Sequence, residues 1–327
     1  MSAASEAGTA DVLVARAADR VPRHHAAIFV ALLAMGLVAP FLLYPVFLMK
    51  VMCFALFACA FNLLLGYGGL LSFGHAAYFG GASYVSAHAA AVWGLSPELA
   101  ILSGTAAAAV LGAAIGSLAI RRQGIYFAMV TLAFAQMVYF FSVQAPFTGG
   151  EDGIQAVPRG DLVGLLDLRS DLALYFVVLA ITFGGVLFIY RIVHSPFGQV
   201  LKAIRENEPR AVSLGYRVTR YKLAVFVLSA TLAGLAGATK AIVFQLASLT
   251  DVHWTMSGEV VLMTLIGGMG TVFGPIVGAA VIVTMQNYLA TFGAWVTIIQ
   301  GCIFVVCVML FRKGIVGVMA KAVRKSL

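Results

Sequence analysis

The run Leu172-Ala173-Leu174-Tyr175-Phe176-Val177-Val178-Leu179-Ala180-Ile181-Thr182-Phe183-Gly184-Gly185-Val186-Leu187-Phe188-Ile189-Tyr190 contains no charged residue. A helix that crosses the hydrocarbon of a bilayer needs about 20 mostly apolar residues, and this run supplies that length. Ala26 to Met49, Leu99 to Ile120 and Leu223 to Ala247 do the same almost without interruption. Lipid offers no water to unpaired backbone groups, so long, uniformly apolar segments predict a helical bundle; the strands of a barrel would alternate in polarity. The expected fold class is an all-α, polytopic membrane protein. The composition agrees: 62% of the 327 residues are hydrophobic and 10% charged, against roughly a quarter charged in soluble domains, which excludes an ordinary soluble fold.

Residues 1–25 precede the first apolar segment and carry Arg16, Arg20 and Arg23, with no small-residue cleavage pattern after a short apolar core. They read as a cytoplasmic tail, disordered or forming a short surface helix over Asp11 to Val21. Cys53, Cys59, Cys302 and Cys307 all fall in apolar segments without metal-ligand spacing, so no metal site is expected and they read as small hydrophobes. The net charge of +8 implies no nucleic-acid partner, because the basic residues cluster at helix ends as membrane orientation requires.

Arg191, Lys202, Arg205, Arg210, Arg217, Arg220 and Lys222 make the loop 191–222 strongly basic, which places it in the cytoplasm. The loop 144–171 holds only Arg159 and Arg169 and should face the periplasm. Arg121 and Arg122, and the basic tail 312–327, belong inside. Threading through these points predicts a transmembrane domain over 26–311 with spans at 26–49, 51–66, 70–92, 98–120, 124–143, 172–190, 223–247, 258–272, 275–292 and 295–311. Both termini are then cytoplasmic, and an eight-span count keeps the same ends. The second and eighth spans are short, as half-helices or re-entrant elements would be.

Two stretches break the apolar pattern with glycine. One runs from Gly66 through Gly68, Gly69, Ser72, Phe73, Gly74 and His75 to Gly80-Gly81-Ala82, the other from Gly267 through Gly268, Gly270, Phe273, Gly274 and Pro275 to Gly278-Ala279. Each carries Gly-Gly, then Phe-Gly, then Gly-Ala, which suggests two five-span halves, inverted because five is odd. Interrupted helices free backbone groups to face a cavity, so these residues are the expected substrate pathway. Glycine also serves close packing: Gly270, Gly274 and Gly278 are spaced for it, as are Gly112 and Gly116.

Ionisable residues inside the spans are few. Lys240, near the outer end of its span, is expected to reach the headgroups, with a substrate role as the alternative, and Glu259, following Ser257 at the start of an apolar run, to serve the first turn of a helix, with a solute contact as the alternative. His75 is either a pathway residue or a hydrogen-bonded structural one. No carboxylate sits well inside a predicted span, which argues against an ion-coupled secondary carrier, the reading from another class. No G-x-x-x-x-G-K-[ST] loop occurs, so no ATPase activity is expected of this chain and none of its own cofactors is implied.

The segment from Ser195 to Tyr216 is too polar to span. Val200, Ala203 and Ile204 repeat at helical spacing; Asn207 to Pro209 interrupts; Ala211, Val212 and Leu214 resume before Gly215. Two short amphipathic helices at the membrane face are expected, fit to dock a cytoplasmic partner.

At these residues the chain resembles the LivM-type permease subunits of bacterial branched-chain amino acid ABC transporters. The resemblance rests on Asn62 to Ala77, Gly124 to Ala133, Thr148-Gly149-Gly150-Glu151-Asp152-Gly153-Ile154, the segment around Glu206 to Tyr216, and Gly267 to Pro275. It implies an inner-membrane importer subunit with four partners: a second, LivH-type permease, two cytoplasmic ATPases that use the ATP, and a periplasmic solute-binding protein. Coupling would fall to Arg205, Glu206, Asn207, Glu208, Pro209, Arg210, Ala211, Leu214 and Gly215, and binding-protein contact to Thr148, Gly149, Gly150, Asp152 and Gly153. The solute implied is a branched-chain amino acid, with urea, a short amide or an aromatic acid as alternatives. Lys240 departs from the usual apolar residue of that family.

Overall fold

The computed structural model describes residues 23–162 and 166–289, with 298–299, 301–302, 305, 309 and 314–317. Helix α1 (Arg23–Val38) and the 3-10 turn that follows it belong to a unit ending at Leu43; everything from Tyr44 onward forms a second unit. The tail 1–22 and most of the tenth predicted span lie outside the described residues, as does most of the basic tail.

Within the second unit, α2 (Pro45–Asn62) continues through a π-helical turn to Tyr67. After α3 (His75–Ala91), α4 (Pro97–Ala119) and α5 (Ile125–Gln144) comes a loop with β1 (Ile154–Gln155), β2 (Asp161–Leu162) and β3 (Leu166–Asp167). Helix α6 (Asp171–His194) leads to the short α7 (Pro196–Glu206) and α8 (Glu208–Ser213), then to α9 (Val218–Phe244). The two-residue β4 (Leu246–Ala247), α10 (Leu249–Val252), α11 (Trp254–Gly267) and α12 (Gly274–Leu289) follow. Five of these helices, 45–67, 97–119, 125–144, 171–194 and 218–244, are long and apolar enough to cross a bilayer, and 27–41, 254–267 and 274–289 are shorter apolar helices. The protein is thus an all-α, multi-pass membrane protein.

The division between the first two spans lies earlier in the chain than the sequence predicts. The sequence predicts a division at Lys50; the chain turns at Leu42 to Tyr44, and α2 starts at Pro45. Proline at the first helical position lacks only an N–H that would be unpaired there anyway, so it sets the start. The second span is therefore a full 23 residues rather than short, with Lys50 inside it. The eighth, α11, is short, at 14 residues.

Helices α2 and α9 are mostly enclosed, while most of α5 and α6 faces outward, as the apolar circumference of a lipid-facing helix allows. Helix α9 packs on α2, α3 and α4. Gly112 and Gly116 of α4 sit against Ala230 and Phe226, where a Cβ would come within 2.5 and 2.7 Å. The loop 144–171 is fastened to the tip of α9: β1 pairs antiparallel with β4 and β2 with β3. Arg159 binds both Asp171 at 2.7 Å and the Val243 carbonyl at 2.8 Å.

Candidate functional site

After Tyr67 the backbone runs non-helically to Gly74, and α3 begins at His75. The N–H groups that a new helix leaves without intrahelical partners must be met from outside. Thr131 Oγ1 accepts from Phe73 N at 3.2 Å, Ser72 Oγ from Gly74 N at 3.1 Å, and Ser257 Oγ from Ala76 N at 2.9 Å. The second break, between α11 and α12, is built alike, with Thr271 Oγ1 accepting from Gly274 N at 3.1 Å and donating to the Gly268 carbonyl at 2.8 Å.

The two breaks touch. Asn62, buried at the end of α2, donates to the Thr271 carbonyl at 2.8 Å and accepts from Gly270 N at 2.9 Å. Both breaks are turned toward α7, whose Arg205 donates to the Gly66 carbonyl and lies beneath Gly69. Gly69 and Gly270 have φ of +69° and +80°, which a side chain would strain. The aligned Phe73-Gly74 and Phe273-Gly274 therefore follow two breaks that Asn62 ties directly to each other. In the sequence Asn62 heads the stretch Asn62 to Ala77, but nothing local there shows that it bridges to Gly270 and Thr271. Asn62→Leu strands the Gly270 N–H and the Thr271 carbonyl. At about 1–3 kcal/mol for each buried group left unpaired, it should lower the thermal unfolding midpoint of the detergent-solubilised protein by several degrees; an unchanged midpoint would contradict the bridge.

The expected pathway residues separate into two groups. Gly68 and Gly69 line a cavity of about 370 Å³, together with Leu65, Arg205, Glu208, Lys222 and Met269. Ser72, Gly74, His75, Gly267, Gly268, Phe273 and Gly274 are packed away from it, with Phe73 and Gly270 half-buried. His75 Nε2 is 2.9 Å from Ser229 Oγ, which donates to the Ala60 carbonyl, and its ring meets Phe61 and Tyr78 edge-on.

Helices α7 and α8 are capped by Ser195, which accepts from Gly198 N, and Asn207, which accepts from Arg210 N. Ile204, Ala211 and Val218 form their small core, with Val200 and Tyr221 against it. Glu208 faces inward: it pairs with Lys222 at 2.8 Å and accepts from Gln123 at 3.2 Å. Glu206, Asn207, Pro209, Arg210, Leu214 and Gly215 are exposed, as are Val212 and Tyr216. The pair of helices thus holds the glycine breaks with one face and offers a mixed apolar and charged surface on the other.

In the loop 144–171, Thr148 is buried, donating to the carbonyls of Ser142 and Ala145, and Gly149 and Gly153 close against each other. Half-buried Gly150 and exposed Asp152 complete this turn.

Two charges sit differently from the sequence expectation. Lys240 does not reach toward headgroups; it is ion-paired at 2.5 Å with Asp251, which is 3% exposed. Glu259 does not serve a first turn, because α11 starts at Trp254 and His253 is its cap; Glu259 lies a turn further on, facing a cavity shared with Lys50, Lys240 and Asp251. Among the described residues no group of His, Cys, Asp and Glu could hold a metal ion.

Paired interrupted helices held by an amphipathic hairpin, in a multi-pass bundle, define a transport permease. The profile of the family described as "Branched-chain amino acid transport system / permease component" matches residues 44–309, and the chain belongs to that family. It is 27% identical over 284 residues, 80% of its length and 67% of theirs, to the high-affinity branched-chain amino acid transport system permease proteins LivM of Salmonella typhimurium and Escherichia coli. It is also similar to the ribose import permease protein RbsC of Bacillus subtilis, 29% identical over half of each chain. No solved structure matches it.

Proposed function

We propose that this chain is one permease subunit of a binding-protein-dependent importer of branched-chain amino acids, working beside a second, LivH-type permease. Two cytoplasmic ATPases dock on α7 and α8, and a periplasmic binding protein delivers solute to the loop 144–171. Both termini are cytoplasmic, and ATP is bound by the partners rather than by this chain. The observation that carries the reading is the two-faced α7–α8 hairpin, with Arg205 on the Gly66 carbonyl and Arg210, Val212 and Leu214 exposed. A partner that pulls this hairpin acts directly on the junction of the two broken helices. ATP binding can drive such a motion only by favouring one of the two states it connects.

Arg210→Glu and Leu214→Asp test this in proteoliposomes holding the full complex with ATP and loaded binding protein. Leucine uptake should fall by about tenfold, the equivalent of about 1.4 kcal/mol of docking, with the amount of this subunit in the membrane unchanged. Undiminished uptake in both variants, or uphill pumping by this chain with no other polypeptide, would defeat the proposal.

A further inference from the structure

At the end of α9 remote from α7, a cavity of about 340 Å³ is lined by Lys50, Lys240, Asp251, Glu259 and Gln286, with Phe54, Phe244, Leu246 and Met256 as its apolar wall. Four charges drawn from α2, α9, α10 and α11 meet there, in a protein with only 10% charged residues. Charge within a membrane bundle is costly to retain and points to function.

The four do not pair off. Lys240 and Asp251 neutralise each other, and Ser248 Oγ adds a 3.5 Å contact to the same carboxylate oxygen. Lys50 and Glu259 remain, and neither makes an ion pair among the described residues. Gln286 bonds the Glu259 carboxylate, which keeps further acceptor capacity.

We propose that this cavity is the chain's contribution to the solute site, holding an α-amino acid with its carboxylate at Lys50, its ammonium at Glu259 and its side chain on Phe54 and Met256. The proposal rests on the importer reading above and adds where the solute sits. Its chemistry follows from charge balance. A zwitterion supplies one charge of each sign, so that Lys50 and Glu259 each gain a direct opposite partner while the site, already neutral, stays neutral. A carboxylic acid without an amine would add a negative charge near Glu259, and urea or an amide would offer neither charge a direct partner, leaving Lys50 and Glu259 only their longer-range attraction to each other. The cavity volume lies at the small-molecule end of ligand sites.

The test uses the full complex in proteoliposomes with ATP and leucine-loaded binding protein, read as leucine moved per ATP hydrolysed. Lys50→Met and Glu259→Gln should each lower that ratio by about tenfold or more, since each strips one charge from a matched pair, while Lys50→Arg retains most of it. A wild-type complex that pumps leucine beside two neutralised variants that do equally well overturns this placement alone. A wild-type complex that moves no amino acid overturns the importer reading and this placement with it. Lys50→Cys gives a second readout, independent of how well the neutralised variants assemble. Leucine turnover should slow its modification by a cationic thiol reagent relative to the resting complex, and an unchanged rate overturns the proposal.

Discussion

Gly278→Val should yield little or no folded subunit. A Cβ at Gly278 would collide with the Met263 carbonyl and lie 2.8 Å from Gly267 N, all of it backbone of α11. Backbone atoms of a packed helix cannot swing aside as a side-chain tip can, so α11 and α12 would have to separate. Overpacking a well-filled interior typically costs about 1–3 kcal/mol, and parting two helices adds the contacts between them. Their shared break would go too, and with it the Asn62 bridge. The readout is subunit abundance in the membrane fraction and a monodisperse profile after solubilisation. Gly184→Ala is the internal control, because nothing lies within 4 Å of the added carbon there and alanine is the better helix former; it should leave both readouts unchanged. Wild-type abundance of Gly278→Val would show that the two helices do not meet as described.

Lys240→Met should be nearly as damaging, for an electrostatic reason. It leaves Asp251, 3% exposed, as a buried carboxylate with no cation in contact. Removing one member of a buried pair costs about 3–5 kcal/mol, whereas replacing both by apolar groups of similar volume is often neutral. The double variant Lys240→Met/Asp251→Leu should therefore recover most of the stability lost by the single one. Thermal unfolding of the solubilised protein, read as a double-mutant cycle, measures this. A single variant that loses no more than about 1 kcal/mol would mean that the pair behaves as a solvated surface contact.

The contrast between these two sites explains what could be read in the sequence. Spans were legible because burial in lipid imposes a length, and the α7–α8 hairpin because Ser195, Asn207 and Pro209 punctuate it. The boundary between the first two spans was misplaced because Lys50 looked like a loop residue, while the proline that starts the helix lies five positions earlier. Glycine announced both breaks, yet nothing local says that they meet; that depends on Asn62 reaching residues more than 200 positions away. Lys240 and Glu259 were judged singly from their positions in their own segments. Their partners arrive through the turn after Gln245 and from α2, so the charge cluster exists only in three dimensions. Arg205 stands in the sequence among the coupling residues, and its hold on the Gly66 carbonyl appears only once α7 is placed against the first break.

Helix α9 leaves the α7–α8 hairpin at one end and at the other is stitched to the loop 144–171 by a two-residue strand pair and by Arg159. Its 27 residues make a strut about 40 Å long at 1.5 Å per residue. A strut clamped at both tips can carry traffic in either direction: if what grips the loop 144–171 changes the grip on the α7–α8 hairpin, thermodynamic reciprocity makes the two shifts equal in free energy. On the importer reading proposed above, the binding protein and the ATPases would then sense each other through a single rod.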